Sequence, residues 1–197
     1  MNNSATGGYT GPSFTEPNPG GLTLTQFIQT VLCGVSGING KLVRPKWQQE
    51  PPQMPDISVN WLAFGIASSQ PSFNAYIAMQ PDNTTQYQRQ EQLEIQVSIY
   101  GPAAFETVGL ITDGLQIPQN LAGLLAANMG VVEVTKAMHI PELINERFFN
   151  RYELAVVLNR QVQRLYPILN FLSASGTVYT QTAGNVNFEL PWNAANE

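Results

Sequence analysis

The stretch from Glu91 to Leu115 constrains the fold most, because a strand pattern changes into a helix pattern within it. Aliphatic residues first alternate with polar ones, at Leu93, Ile95, Val97 and Ile99. Strand side chains point to opposite faces with a period of two, so this segment predicts a strand with one apolar face. After Gly101-Pro102 the apolar residues recur at helical spacing, at Ala104, Val108, Ile111 and Leu115. A half-buried strand that feeds an amphipathic helix is typical of a domain with helices packed on a sheet.

Size and charge limit the class of protein. With 197 residues, the chain suits one domain, or one domain with arms, and such a chain buries roughly 70% of its unfolded surface. Charged residues make up only 12%, which fits either a weakly charged solvated surface or a surface that meets other proteins. The formal net charge is −5, with no basic run, so direct nucleic-acid binding is not expected.

Targeting signals are not apparent in the sequence. The first residues carry neither a charged segment nor an apolar one of the kind that forms a signal peptide. No apolar run approaches the ~20 residues that a membrane-spanning helix needs. Cys33 is the single cysteine, so no disulfide within one chain is expected. We therefore expect synthesis in a cytoplasm and no membrane partner.

The two ends of the chain differ from its middle. Residues 1–21 are rich in Gly, Pro, Ser, Thr and Asn, and they are either a disordered tail or an arm that docks on a neighbouring subunit through Tyr9 and Phe14. Residues 169–197 predict a hairpin arm that turns at residues 183–185. Between them, residues 22–168 form the predicted folded domain.

The first half of this domain begins with a clear helix signal. Thr23 and Gln26 have the spacing of a capping box, and apolar residues follow at helical spacing up to Val35. Gly34 and Gly37 predict the helix end. A short strand is expected over Lys41–Arg44.

A proline-rich loop follows from Arg44 to Asp56, with Pro45, Pro51, Pro52 and Pro55 in it. Proline removes backbone donors and favours extended geometry, so this loop should be stiff and close to the surface. Trp47 is its one large apolar residue. It is either an anchor that folds onto its own core or a platform for a ligand.

The rest of the domain alternates between strand and helix signals. Thr84–Gln92 is polar and is expected to extend the central strand outward as a hairpin arm. Pro118 should start a helix with Leu121, Leu124 and Leu125 inward and Gly130 at its end. The remaining expected elements are strands at Val59–Ile66, Phe73–Met79 and Val131–Met138, a connection at Pro141–Glu146, and a long strand at Arg147–Tyr166. The chain therefore predicts an α+β fold.

Motifs for chemistry are few. His139 is the single histidine, so a Ser-His-Asp triad could form only around it, and a structural role is favoured. Glu91 and Glu94 should face opposite sides of their strand, so they are not a ready acid–base pair. Folding could still bring carboxylates such as Asp56 or Asp113 together.

Arginines crowd the last long strand of the domain. Arg147 and Arg151 should share one face, and Arg160 and Arg164 the other. This pattern favours pairing with acidic neighbours across strands or subunits over a nucleic-acid stripe.

Several of these segments together resemble one family. They are the first helix, the loop RPKWQQEPPQMPD that leads into WLAFGI, the segment QRQEQLEIQVSIYGP with its helix, and RFFNRYELAVVLNR. In this order they resemble the bacteriophage neck terminator proteins, a family related to the tail terminators. The resemblance spans about residues 22–166, and Arg44–Gln48 with Pro51-Pro52 and Trp61–Gly65 is its most specific part.

The resemblance implies a mainly antiparallel sheet with two or three helices on one face, plus extended terminal arms. It also implies a structural virion protein at the head–tail junction: a hexameric ring that caps the tail tube, meets the head-side connector or collar protein, and lets DNA pass as cargo. It brings no catalytic residues, cofactor or metal. The candidate subunit or partner contacts are Tyr9, Phe14, Trp47, Pro51, Pro52, Tyr87, Arg89, Arg147 and Arg151.

Three alternatives stay open at the level of sequence. The chain could be a monomeric ligand-binding module that uses an exposed tryptophan, Trp47 or Trp192. It could be another minor tail or connector component of a phage. It could also be a hydrolase that uses Asp56 or Asp113.

Overall fold

The computed structural model describes residues 5–15, 22–80, 84–144, 146–168, 173–182 and 186–195. For residues 14–15, 173–182 and 186–195 it describes the backbone alone. The chain divides into two compact units. The main unit consists of Thr15–Tyr76 and Gln88–Gln163, and the second unit of Met1–Phe14, Ile77–Tyr87 and Arg164–Glu197.

The described residues form an α+β fold with a mainly antiparallel sheet, which confirms the predicted fold class. The helices are α1 (Leu24–Ser36), α2 (Ala104–Gly114) and α3 (Pro118–Ala126). The strands are β1 (Phe14–Thr15), β2 (Val43–Pro45), β3 (Trp61–Pro71), β4 (Tyr76–Met79), β5 (Thr85–Tyr100), β6 (Met129–Val134), β7 (Met138–His139), β8 (Glu142–Ile144), β9 (Arg147–Phe149), β10 (Arg151–Tyr166), β11 (Ser173–Thr182) and β12 (Val186–Ala195). None of the described helices is long and apolar enough to span a membrane.

The sheet of the main unit has the strand order β10-β5-β3-β2, and β6 and β7 pair with β10. Strands β3 and β5 are antiparallel, with Leu62 opposite Ile99 and Phe64 opposite Val97. The edge strand β2 is parallel to β3. Strands β6 and β7 lie beyond β10. The strands at the two edges of this sheet, β2 on one side and β6 and β7 on the other, are therefore far apart in the sequence.

One face of the sheet carries the core. Leu93, Ile95, Val97 and Ile99 of β5 are all buried there, as their alternation predicts. The three helices pack against the same cluster through Ile28 and Leu32 of α1, Ala104 and Ile111 of α2, and Leu124 of α3. We call this side the helix-packed face.

Helix α1 matches its prediction. The hydroxyl of Thr23 accepts a hydrogen bond from the backbone N–H of Gln26, and the Gln26 side chain accepts one from the N–H of Thr23. Gly37 ends the helix in the left-handed conformation, with φ 69°. This conformation is easy for glycine because glycine has no Cβ.

Two details of α3 differ from the prediction. Leu125 is exposed and not inward, while Leu124 is buried. The helix ends at Ala126, and Gly130 lies within β6. Asn128 makes the turn between them with a positive φ of 54°, so an asparagine replaces the expected glycine at this turn.

The region from residue 141 to 166 also differs from the prediction. The expected connection is a strand, β8, which pairs with β9 as a hairpin. The expected single strand is broken at Asn150. The Asn150 carbonyl accepts a hydrogen bond from the Gly101 N–H at 3.1 Å, and its side-chain amide donates to the Gly101 carbonyl at 3.2 Å. These bonds separate β9 from β10.

Other predicted strand bounds shift by a few residues. Lys41 lies in a 3₁₀ turn, Gly40–Leu42, because the Asn39 side chain accepts its backbone N–H. The strand expected from Phe73 begins only at Tyr76, whereas Thr84–Gln92 lies almost wholly in β5, as predicted.

The second unit contains a long hairpin. Strands β11 and β12 pair antiparallel from Ser173 opposite Ala195 to Thr182 opposite Val186, as predicted for the C-terminal arm. Its turn at residues 183–185 lies outside the described residues. In the same unit the N–H and hydroxyl of Ser13 both donate to the Leu165 carbonyl, at 2.7 and 3.1 Å.

Candidate interaction surface

The proline-rich loop continues β2 across the second side of the sheet, which we call the helix-free face. The N–H of Lys46 donates to the Phe64 carbonyl at 2.6 Å, which prolongs the parallel pairing of β2 with β3. Trp47 then takes a left-handed φ of 56°. The Arg44 guanidinium donates to the Gln53 carbonyl at 2.7 Å, which folds the far end of the loop back.

Trp47 is 69% exposed, yet its indole ring lies on the backbone of β3. A Cβ added to Gly65 would come within 2.5 Å of the ring. Trp47 is therefore neither a buried anchor nor a free side chain. It forms one wall of a groove of about 260 Å³, which is also lined by Arg44, Lys46, Pro51, Pro52 and Trp61. We call this the tryptophan groove.

A row of aromatic and cationic side chains crosses the helix-free face. The rings of Trp61 and Tyr100 stack at 4.1 Å with an interplanar angle of 4°. Arg44 lies over the Trp61 ring at 5.9 Å, and Arg151 lies over the Tyr100 ring at 5.6 Å. Because cations are attracted to ring faces, this row links four strands from β2 to β10.

Carboxylates hold the Arg151 end of the row. The Arg151 guanidinium donates to Glu142 at 2.9 Å and also bonds to Glu153. Burial alone would raise the pKa of Glu153, but hydrogen bonds from Arg151 and Ser98 outweigh it and lower that pKa. Burial lowers the pKa of Lys46, and the Glu153 charge offsets part of this effect.

The β8–β9 hairpin, which we call the flap, lies beside the end of the proline-rich loop. Its inner side contributes Ile144, Arg147 and Phe149 to a cleft of about 430 Å³, and the loop contributes Met54, Pro55, Asp56 and Ile57. We call this the flap cleft. The pKa of Asp56 is lowered because its carboxylate accepts hydrogen bonds from the N–H and hydroxyl of Ser58. The charge of Arg147 adds a smaller effect in the same direction.

The outer side of this flap is apolar. Leu143 and Phe148 stand directly opposite each other in the hairpin register, and they are 61% and 69% exposed. Cross-strand pairs of this kind stabilise a hairpin, but here they also present apolar area to solvent. Glu146 lies exposed at the turn, with a positive φ of 63°.

A second ion pair joins β5 to β10, further along these strands from Arg151. Both Nε and Nη2 of Arg160 contact one carboxylate oxygen of Glu91, at 2.7 and 2.6 Å, and the Ser69 hydroxyl bonds to the same carboxylate. Glu91 is buried. Burial would raise the pKa of Glu91, but the bonds from Ser69 and Arg160 lower it. The predicted pairing of an arginine with an acidic neighbour is confirmed here.

The residues predicted as contacts lie in several places. Trp47, Pro51 and Pro52 meet in the tryptophan groove. Arg147 and Arg151 do not share one strand face as predicted, because the break at Asn150 separates them: Arg147 lines the flap cleft, and Arg151 ends the cation–aromatic row.

The remaining candidates lie elsewhere. Tyr9 is fully exposed, and the Phe14 side chain lies outside the described residues. The Tyr87 ring meets Tyr166 edge-on at 6.0 Å. Arg89 is half-buried, and its Nε has no hydrogen-bond partner among the described residues.

Four residues of this region were not predicted from the sequence: the exposed Leu143 and Phe148, and the stacked pair Trp61 and Tyr100, which is buried on the helix-free face. The alternation of Trp61 with Leu62, and of Tyr100 with Ile99, already places the stacked pair on the face opposite the aliphatic core. The His139 ring stacks on Tyr152 at 4.6 Å and bonds to the Asn150 side chain at 2.8 Å, and these contacts favour the structural role expected for it. Within the described ranges, no group of three or more His, Cys, Asp or Glu residues could hold a metal ion.

A comparison with protein families shows which family the chain belongs to. The family model described as phage neck terminator protein matches residues 22–182. The chain belongs to the phage neck terminator protein family. It is therefore a bacteriophage structural protein of the neck, and its surfaces are those of a virion component. Among curated proteins, none matches the sequence significantly.

Proposed function

We propose that this neck terminator forms a hexameric ring that closes the end of the tail tube and joins it to the head-side connector. The family match over residues 22–182 is the observation that carries this proposal. The ring sits at the head–tail junction of the virion after assembly in the host cytoplasm. Its partners are further copies of the chain, the tail tube protein and the connector or collar protein.

DNA passes through such a ring as cargo and is not a ligand. The formal net charge of −5 supports this part of the proposal, because like charges keep a polyanion from binding. Arg151 and Arg160 are also neutralised locally by carboxylates. We propose no catalytic role and no cofactor.

The predicted division of the chain is part of the proposal. Residues 22–168 form the ring-building domain, and residues 1–21 and 169–197 are arms that reach other proteins. Tyr9 supports this view of the N-terminal arm, because a fully exposed tyrosine in an uncharged stretch is suited to contact. Tyr87 and Arg89 remain candidate contacts on the extended part of β5.

The ligand-binding alternative rests on one observation, the groove beside the exposed Trp47 ring. Its volume of about 260 Å³ lies below the roughly 300–1,000 Å³ of small-molecule sites. The ring is the better-supported function, because the family match over residues 22–182 supports it directly.

Complementation of a phage that lacks this gene tests the proposal. Without the protein, we expect separate heads and tails in electron micrographs, and with it, joined virions that have a six-fold ring at the neck. Joined virions in normal number without the protein would contradict the proposed function. A neck that contains the protein without six-fold symmetry would contradict the hexamer alone.

A further inference from the structure

Two unlike surfaces of the main unit each lack a partner within the described chain. The first is the tryptophan groove, which is concave and bordered by the cations Arg44 and Lys46, with no acidic residue in its lining. The second is the outer side of the β8–β9 flap, which carries exposed Leu143 and Phe148 with Glu146 at its turn. One surface is a cationic aromatic recess, and the other is an apolar projection with an acidic tip.

The two surfaces complement each other in charge and in size. The groove has room for one or two side chains, and an aromatic ring is suited to a wall made of Trp47 and Trp61. Glu146 is exposed, and no salt bridge among the described residues involves it. Its carboxylate is therefore open to the cations that border the groove.

We propose that the flap of one copy inserts Phe148 into the tryptophan groove of the next copy. The proposal rests on the proposed function and names the contact that holds the ring together. Groove and flap are different surfaces of one chain, so the contact can repeat head-to-tail, and a head-to-tail contact closes into a ring when its rotation allows. Leu143 packs beside Phe148, and Glu146 reaches the cationic rim.

Chemical crosslinking in complemented virions tests this contact. In a Cys33→Ser background, Gln48→Cys places a thiol at the groove rim, and Leu143→Cys places one on the flap, while Trp47 and Phe148 stay intact. With a short bis-maleimide we expect a ladder of crosslinked species from dimer to hexamer. The matched control joins Gln48→Cys with Glu106→Cys on the exposed side of α2, and it should give no ladder.

Each result has a defined meaning. A ladder in the first pair alone supports the head-to-tail contact, whereas dimers without larger species would indicate a reciprocal two-fold contact and would overturn it. Dimers from Leu143→Cys alone would show that flap meets flap, and would overturn it. Six-fold neck rings without any crosslink between positions 48 and 143 would also overturn it, and would leave the proposed function intact. The proposed function itself would be contradicted by a different result, the normal joining of heads and tails without the protein.

If a cysteine pair disturbs assembly, the self-association of two alanine variants provides a second test. Phe148→Ala should weaken self-association about thirtyfold, as expected for an aromatic residue at the centre of an interface. Phe105→Ala, an exposed phenylalanine on α2, serves as the control and should change it less than about threefold. Equal effects of the two changes would overturn the proposal.

Discussion

The helix-packed face and the helix-free face of the sheet are ordered by different forces. The helix-packed face is an aliphatic core in which Leu62, Ile99 and Leu154 are almost completely buried. The helix-free face is held by the cation–aromatic row from Arg44 to Arg151 and by a proline-rich loop. Burial of apolar area stabilises without regard to direction, whereas stacking and ion pairs depend on geometry. One face should therefore determine folding, and the other should determine contacts.

The strongest test of this comparison is a charge in the helix-packed face. Leu154→Asp buries an unpaired carboxylate on the buried face of β10, and we expect a loss of about 4 kcal/mol in the free energy of unfolding. Denaturant unfolding measures this loss. Asn159→Asp, an exposed position on the same strand, should change the free energy by less than about 0.5 kcal/mol. Cooperative unfolding of Leu154→Asp at nearly normal stability would place the core elsewhere.

The next effect concerns the buried ion pair at the far end of the sheet. Glu91→Gln leaves Arg160 without its counter-charge, at a cost of about 3 kcal/mol at pH 7. Glu94→Gln is the control, because Glu94 lies exposed on the opposite face of the same strand.

The pH dependence of this loss follows from the lowered pKa of Glu91. A carboxylate with a lowered folded-state pKa contributes stability above its unfolded pKa of about 4.3. That contribution disappears as the pH falls through the folded-state value. The difference between wild type and Glu91→Gln should therefore be constant above about pH 5 and shrink in acid. A difference that does not change with pH would assign the loss to packing.

A smaller loss is expected on the helix-free face. Arg151→Lys keeps the charge but cannot bind Glu142 and Glu153 together while it lies over Tyr100. We expect a cost of about 1.5 kcal/mol in thermal or denaturant unfolding. Arg147→Lys, at an exposed position, should have almost no effect. If both changes were neutral, the cation–aromatic row would contribute nothing to stability.

A change at Trp47 should affect contacts with other proteins much more than it affects folding. Trp47→Ala should lower the free energy of unfolding by only about 1 kcal/mol, because the ring covers Gly65 of β3 but is 69% exposed. In contrast, self-association or the yield of joined virions should fall strongly. Calorimetry and complementation measure the two effects separately. If the isolated variant melted much earlier, Trp47 would be an anchor of its own core.

The N-terminal arm should also contribute little to stability. Deletion of residues 1–20 removes the two hydrogen bonds from Ser13 to the Leu165 carbonyl, which should cost about 1 kcal/mol. Deletion of residues 1–12 keeps these bonds and should not change the melting temperature. Both deletions should lower the yield of joined heads and tails. Normal yields from both would show that the arm is passive.

The two faces also differ in how far they could be predicted. Strict alternation located β5 and Leu154, and the capping box located α1, because these signals depend on neighbouring residues alone. The register that stacks Trp61 on Tyr100 depends on two strands that are distant in sequence. The hairpin of β8 and β9 was missed because its three-residue strands carry too little periodicity. The break at Asn150 was missed because it depends on bonds to Gly101.

Contact between Trp47 and Gly65 has a consequence for how related sequences can vary. The indole ring occupies the space that any side chain at position 65 would need. A larger residue at 65 therefore requires a change at position 47, and the two positions should vary together. In relatives that lack a tryptophan at 47, alanine or serine at 65 would have to fit against the Cβ of residue 46 alone. We therefore expect tryptophan at 47 to occur together with glycine at 65.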